Sequence, residues 1–432
     1  MRILILSFYF APQNTMAAHR LTRLAAYLRE QGHEVRVVAA RVSNVPTDPD
    51  GDAGDIMVVR TWVPSLDLPA LLQRSLQRLR LRRKDEGNAA GLAQASPVVR
   101  FGRRLVWLYR NLLLWPDERM GWFLSALPLT LRLCRHWKPD LIYASSPPAT
   151  TLALACALRR LCGVPWVAEI RDRWADDPYT SRPGWRWRLE HRLEDIILSS
   201  AHGLVTVSQT WAEFYGTRYR VPTAVVHNGF DPDAYCHADG ADGEAGVLRI
   251  VYTGSVYAGR DPAPLWQALG AMGNDAEAVR VEFYGAKRSE VLPGAARHGV
   301  AHLVTVQEYV AHVDAVRLQC GADILLMLQW DNPSEAGNLP GKLFEYLGAR
   351  RPVLALGYDV GEMARIIRER GVGLFANDPQ EIARQLKAWL VVKRETDCIQ
   401  VLSKTAGDSF SRDEQFGSLE EFLEKVLSPK KT

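Results

Sequence analysis

Twice along its length this chain alternates short apolar runs with amphipathic helical stretches, and that alternation admits few architectures. RILILSFYF (2–10), the loop APQNTMAA, the helical HRLTRLAAYLREQG closed by Gly32, and HEVRVVAA (33–40) form a strand–helix–strand unit. Continuous apolar strands are buried on both faces, so the unit predicts a parallel sheet with right-handed crossovers. The pattern resumes with DLIYASS (140–146), helical TTLALACALRRLCG, PWVAEIRD (165–172) and HGLVTVS (202–208), and TAVVHNGF (223–230) ends it. A second series runs through VLRIVYTGS (247–255), VRVEFYGA (279–286), HLVTVQEYV (302–310), ADILLMLQW (322–330) and PVLALG (352–357).

At 432 residues the chain is too long for one ordinary domain. The expected organisation is α/β: a doubly wound domain over 1–230, an acidic Gly-rich linker over 231–246, a second doubly wound domain over 247–412, and a helix over 413–432 packing back on the first. Two such sheets place a ligand cleft between their carboxyl ends. No apolar run reaches the roughly 20 residues of a membrane-spanning helix. MRILILSFYF has one Arg and no small-residue cleavage site, so it reads as a buried first strand rather than a signal segment. Six cysteines without metal spacing read as reduced cytoplasmic thiols, and no metal site is expected.

Charge divides unevenly. Residues 1–230 carry 31 Lys+Arg against 20 Asp+Glu, and the remainder 22 against 29. A basic first half fits a polyanionic neighbour. Residues 66–124 interrupt the strand–helix pattern with two basic, Leu- and Trp-rich helical stretches, LLQRSLQRLRLRRKDEG and VVRFGRRLVWLYRNLLLW. They read either as a solvated insertion or as a surface resting on an anionic membrane. No nucleic-acid-binding motif accompanies the arginines.

GNLPGKLFEYLGARRPVLALG (337–357) is the densest stretch of chemistry. Asn338 reads as a helix cap, Pro340 as a first-turn residue and Gly348 as the terminator. The helix start at Gly341 offers N–H groups to an anion, Lys342 adds a cation, and Glu345 lies one turn deeper on the same face. A nucleotide diphosphate suits that arrangement, its phosphates at the tip and its ribose diol on the carboxylate, while a solvated Lys–Glu pair is the plain alternative. Gly254 and Gly259 permit close backbone approach after VLRIVYT, and Arg260 can fork onto a phosphate.

In the first half, Arg171 and Asp172 follow an apolar strand. Either Asp172 orients an acceptor hydroxyl or the two fix a loop as a pair. Ser146, in ASSPPAT, touches substrate or caps a helix, and Trp174 stacks on a sugar or packs. Arg20 near a helix start is unfavourable without a neighbouring anion or carboxylate. HNGFD (227–231) reads as a turn.

The ordered set FAPQNTMAAHRLTRLAAYLREQGHEVRVVAA, YASSPPAT, VAEIRDRW, HNGFD, YTGSVYAGRDP and PGKLFEYLGARRPVLAL resembles the bacterial family 4 glycosyltransferases over nearly the whole chain outside 66–124. The resemblance implies the GT-B fold, two Rossmann-like domains facing across a cleft, and metal-independent sugar transfer from a nucleotide donor with retained anomeric configuration. It implies a UDP- or GDP-sugar co-substrate, no other cofactor, a lipid-linked or glycan acceptor, no nucleic acid, and a cytoplasmic protein peripheral on the inner membrane face. Glu345 matches the second glutamate of the family's E-x7-E motif, on the donor ribose; Lys342 and Arg260 match diphosphate positions, with Gly254, Asn338 and Gly341 around them. Tyr309 stands where backbone would meet the base, and Asn14, Thr15, Arg20, Ser146 and Trp174 face the acceptor side, with Arg171 and Asp172 as the catalytic pair. Two departures stand out. The first E-x7-E glutamate falls on Gly337, with Glu335 two residues before it, and the first loop has Asn14, Thr15 and Met16 in place of Gly-Gly. A GT-B epimerase or phosphorylase, or a non-catalytic membrane-docked assembly factor, are the rival readings.

Overall fold

The computed structural model describes residues 1–42, 54–64, 66, 106–109, 111–112, 114–180, 182–236, 244–257 and 259–428. Most of the basic stretch 66–124 lies outside them. The chain divides into two units, one of Met1–Thr206, Tyr215–Ala224 and Glu420–Thr432, the other of Val207–Phe214 and Val225–Leu419.

The first sheet holds β1 (Arg2–Ser7), β2 (Glu34–Arg41), β3 (Met57–Trp62), β4 (Leu141–Ser146), β5 (Trp166–Ile170), β6 (Gly203–Thr206) and β7 (Thr223–Val225). Its order, β3-β2-β1-β4-β5-β6-β7, turns at β1 and β4, and the register is parallel, Ile3 opposite Val35 on one side and Leu141 on the other. Ile3 through Leu6 are fully buried, as expected of a strand covered on both faces. Helices α1 (Met16–Glu30), α2 (Met120–His136), α3 (Ala149–Cys162), α4 (Gly184–Leu198) and α5 (Gln209–Tyr219) fill the crossovers. Strand β3 corrects the expectation that DLIYASS is the third strand. MVVRTW is only partly apolar and partly buried, so its run carries a weak signal.

In the second unit, α6 (Pro232–Cys236) lies inside the stretch expected to be a linker. Its sheet holds β8 (Leu248–Thr253), β9 (Val279–Tyr284), β10 (Val304–Gln307), β11 (Ile324–Leu328), β12 (Val353–Leu356) and β13 (Gly373–Phe375). The order β10-β9-β8-β11-β12-β13 turns at β8 and β11, all parallel. The three-residue β13 was not anticipated; a segment so short has no readable period. Helices α7 (Ala263–Met272), α8 (Arg288–Arg297), α9 (His312–Cys320), α10 (Gly341–Ala349), α11 (Glu362–Glu369), α12 (Pro379–Thr396) and α13 (Arg412–Leu427) complete the described helices. The end of α13, from Glu420, belongs with the first unit: Phe422 there lies so close to Gly203 that a Cβ would sit 2.9 Å from its ring.

Helix α10 corrects three local readings. Pro340, not Asn338, is the residue before its first turn, and no side chain caps it. Gly348 lies within the helix, where its missing Cβ admits Phe230, 2.7 Å from the place that atom would take. The end falls at Arg350, in the left-handed region at φ 56°.

Candidate functional site

In the second unit, the carboxyl end of β8 and the start of α10 bring the donor-side candidates together. Lys342 Nζ lies 3.3 Å from the Tyr252 hydroxyl and 4.4 Å from its ring centroid. It reaches there by crossing Gly254, whose φ is +116° and whose Cβ, were there one, would sit 2.3 Å from Nζ. Burial, and then the nearby charge of Arg260, lower the Lys342 ammonium to about 8, against the pull of Glu345. Arg260 stacks over Tyr257 at 4.1 Å, and its Nε is buried with no hydrogen-bond partner among the described residues. Burial also pushes the Tyr252 phenol up to about 12, with Arg260 opposing. Two cations thus share a partly buried rim, one of them with an unused donor and the other with weakened basicity. Both effects are relieved by an anion.

One turn deeper, Glu345 accepts from Gln319 Nε2 at 3.3 Å, which also donates to Thr253 Oγ1 at 3.1 Å. The Tyr235 hydroxyl donates to Gln319 Oε1 at 3.3 Å, so a fully buried amide holds the carboxylate in place. Leu343 N donates to Pro340 O at 3.0 Å, and the N–H groups of Gly341 and Lys342 open the helix. Tyr309 stands on the exposed loop after β10, 75% accessible.

The Gly337 position is closed by an indole. A Cβ on Gly337 would lie 2.4 Å from Trp211 Cδ1 and 3.1 Å from Thr210 Cβ. Glu362 pins that segment, accepting from Gln209 N, Thr210 N and Thr210 Oγ1 at 2.9, 2.9 and 3.0 Å. Glu335 is buried and accepts from Asn338 Nδ2 at 2.8 Å, and the Gln329 amide donates to the carbonyls of both residues. Asn338 and Glu335 therefore shape the loop together.

In the first unit, Glu169 on β5 is the residue that sequence reasoning missed. Fully buried, it receives Arg20 Nε at 2.8 Å, the Ser145 hydroxyl, and Arg171 Nε at 3.8 Å. Arg171 Nε also donates to Ser145 Oγ at 3.2 Å. Burial pushes the Glu169 carboxyl up, but Arg20 and Arg171 outweigh it and hold the group below its usual range. This is the carboxylate that Arg20 requires. The clue was a lone acid in the otherwise apolar strand WVAEI. Arg171 thus pairs with Glu169 and Ser145, and the adjacent Asp172 is exposed. Thr15 caps α1, accepting from Ala18 N at 3.1 Å, while Asn14 Oδ1 lies 3.0 Å from His19 Nε2. Helix α3 is capped by Asp117, which takes Thr150 N and Oγ1 at 2.8 Å each, so the ASSPPAT serines do not cap it. Ser146 is buried, and Trp174 is buried with its Nε1 unpartnered among the described residues.

Among the described residues, His33, Glu420 and Glu424 form one group of metal-ligand types. Both His33 nitrogens are engaged, Nε2 at 2.7 Å from Glu420 and Nδ1 at 3.1 Å from the Met1 amino group. A hydrogen-bonded tie between α13 and the start of the chain accounts for them.

Comparison with known proteins now adds to this geometry. Residues 17–229 match the glycosyl transferase 4-like domain. No curated protein sequence is similar enough to count as a match. Among solved structures, a glycosyltransferase from Rickettsia africae superposes with a TM-score of 0.64 at 13% identity, over 100% of this chain and 99% of that one. Anabaena HepE in complex with UDP and glucose gives 0.60 at 16% identity, over 98% and 99%. The lipopolysaccharide outer core galactosyltransferase WaaB gives 0.59 at 11% identity, over 98% and 99%. These likenesses show the fold. The fold is therefore GT-B, with a seven- and a six-stranded parallel sheet among the described residues.

Proposed function

We propose that this protein transfers a sugar, with retention and without a metal, from a nucleotide-sugar donor to a lipid-linked or polysaccharide acceptor in bacterial cell-surface glycan synthesis. The observation that carries the reading is the partly buried Lys342, drawn across Gly254 beside Arg260 with its basicity lowered. Such a pair neutralises a departing diphosphate, because the charge that develops there meets donors already in place. Glu345, steadied by Gln319, takes the ribose hydroxyls. The HepE structures, which contain UDP or UDP-glucose, support a uridine donor, with GDP-sugars as the other candidates. On the acceptor side, Arg171 is positioned by Glu169 and Ser145, and exposed Asp172 orients the acceptor hydroxyl, with Asn14 and Trp174 as further acceptor-side residues. Among the described residues no helix is long and apolar enough to cross a membrane, which accords with a peripheral protein on the inner face.

A panel of sugar nucleotides screened for thermal stabilisation tests this. Binding stabilises with the logarithm of occupancy, so one donor should stand out, and Glu345→Ala should abolish its shift. If no nucleotide stabilises the protein, or Glu345→Ala keeps full donor affinity and turnover, the reading is wrong. Turnover of donor without acceptor, or only with inorganic phosphate, would instead indicate an epimerase or a phosphorylase.

A further inference from the structure

Arg41 and Arg60 face each other's charge at the carboxyl end of the first sheet. β2 and β3 pair in parallel register, Ala39 opposite Arg60 and Arg41 opposite Trp62. Side chains two positions apart on a strand share a face, so Arg41, Arg60 and Trp62 stand on one face of the sheet. Thr61 turns the other way, where its hydroxyl accepts from Trp122 Nε1 of α2 at 2.8 Å. Arg60 is partly buried, and its Nη2 donates to the Ala11 carbonyl in the loop after β1. The Gln13 amide holds that loop against β2, donating to Ala40 O at 3.5 Å. One guanidinium nitrogen is thus spent on anchoring, and the rest of the fork has no hydrogen-bond partner among the described residues. No carboxylate among the described residues pairs with either arginine, and burial, then the charge of Arg41, holds Arg60 below its ordinary basicity. An anion between the two relieves both effects. On the same face Trp62 presents an indole that is 66% accessible.

We propose that Arg41, Arg60 and Trp62 form a subsite for a phosphorylated sugar, the guanidinium groups on the phosphate and the indole against the apolar face of the ring. Two planar forks match the oxygens of a phosphate, and an indole covers the C–H face of a pyranose. A flat bilayer meets only exposed side chains, whereas Arg60 is partly buried beside the first loop, so a discrete phosphate fits where a membrane does not. The phosphosugar is part of the acceptor, an assignment that rests on the transfer reading. The subsite itself stands apart from that reading, because it lies in the first unit and uses none of the donor residues.

Saturation-transfer NMR of the full chain with glucose 6-phosphate, in excess UDP to occupy the donor site, tests it. The sugar-ring protons should receive saturation, and glucose without its phosphate should bind about tenfold more weakly or not at all. R41Q/R60Q should weaken glucose 6-phosphate about tenfold or more, R41K/R60K less so, and W62A should remove the transfer to the ring protons. Arg41 and Trp62 are exposed, so R41Q and W62A should each keep the wild-type melting temperature and decide the matter even where R60Q unfolds the chain. K342M should bind glucose 6-phosphate like wild type, which separates this site from the donor reading. The proposal is overturned if R41Q and W62A both bind like wild type, or if UDP or K342M abolishes the binding. Inorganic phosphate bound as tightly as glucose 6-phosphate would also overturn it, by leaving a simple anion site. So would glucose 6-phosphate failing to bind while R41Q/W62A loses flotation with anionic vesicles, which would assign the face to lipid. In transfer assays with a bacterial membrane extract as acceptor, R41Q/W62A should raise the acceptor KM about tenfold and leave the donor KM alone. An unchanged acceptor KM would overturn the acceptor assignment and leave a site for a free sugar phosphate.

Discussion

Lys342 passes over Gly254 so closely that residue 254 has no room for a side chain: a Cβ there would sit 2.6 Å from Lys342 Cε. The contact links two motifs almost ninety positions apart in the chain, and the Lys342–Tyr252 hydrogen bond fixes where the ammonium points. Gly254→Ala should therefore displace Lys342 and strain a backbone held at φ +116°. The expected cost is about 1–3 kcal/mol in urea denaturation, with nucleotide-diphosphate affinity falling about tenfold or more by calorimetry. Unchanged affinity would remove Lys342 from the phosphate site.

The pH dependence of donor binding follows from the lowered basicity of Lys342. Its ammonium titrates at about 8 in the folded protein, below the ordinary 10.5. Between those values the unfolded chain holds more protons, so the cost of this buried charge is full below about pH 8 and is relieved as pH rises toward 10.5. A bound diphosphate favours the charged form. Affinity should thus decline as pH rises through about 8, and binding near that pH should take up a proton. Titration calorimetry in buffers of different ionisation heat measures the uptake, and Lys342→Met should abolish it.

Restoring a glutamate at the altered position should be harmful on its own. Gly337→Glu drives a Cβ into the Trp211 ring, 2.4 Å away, and should destabilise the protein by about 1–3 kcal/mol. Combined with Trp211→Ala, the same change should cost clearly less than the sum of the two single variants. Additive losses in a double-mutant cycle would mean that the indole is not what excludes the side chain.

Glu169→Gln should leave Arg20 and Arg171 facing a neutral amide inside the protein. A buried pair broken on one side typically costs about 3–5 kcal/mol. Because this carboxyl is held below its usual 4.5, its contribution is present above that value and is lost as pH falls through the lower, folded-state range. The gap between variant and wild type in urea denaturation should therefore be largest near neutral pH and shrink in acid.

The two parallel sheets were legible because strands buried on both faces read as continuous apolar runs, and RILILS and LIYASS are such strands. Lys342, Glu345 and Arg260 could be nominated because a helix start after a glycine-rich loop has its own anion chemistry. Strand β3 was missed because its run is only partly apolar, and Glu169 because its role depends on partners remote in sequence. Arg20 and Glu169 lie 149 residues apart, and neither end alone names the other.

By itself the sequence determined the element order, the repeated strand–helix grammar and the residue types able to hold a phosphate, since these depend on local periodicity and backbone preference. Only the tertiary structure decided that Gly254 serves the passage of Lys342, that Trp211 fills the space beside Gly337, and that Glu169 holds Arg20 and Arg171. Those outcomes depend on excluded volume and on the burial of charge, which exist only once distant segments compete for the same space.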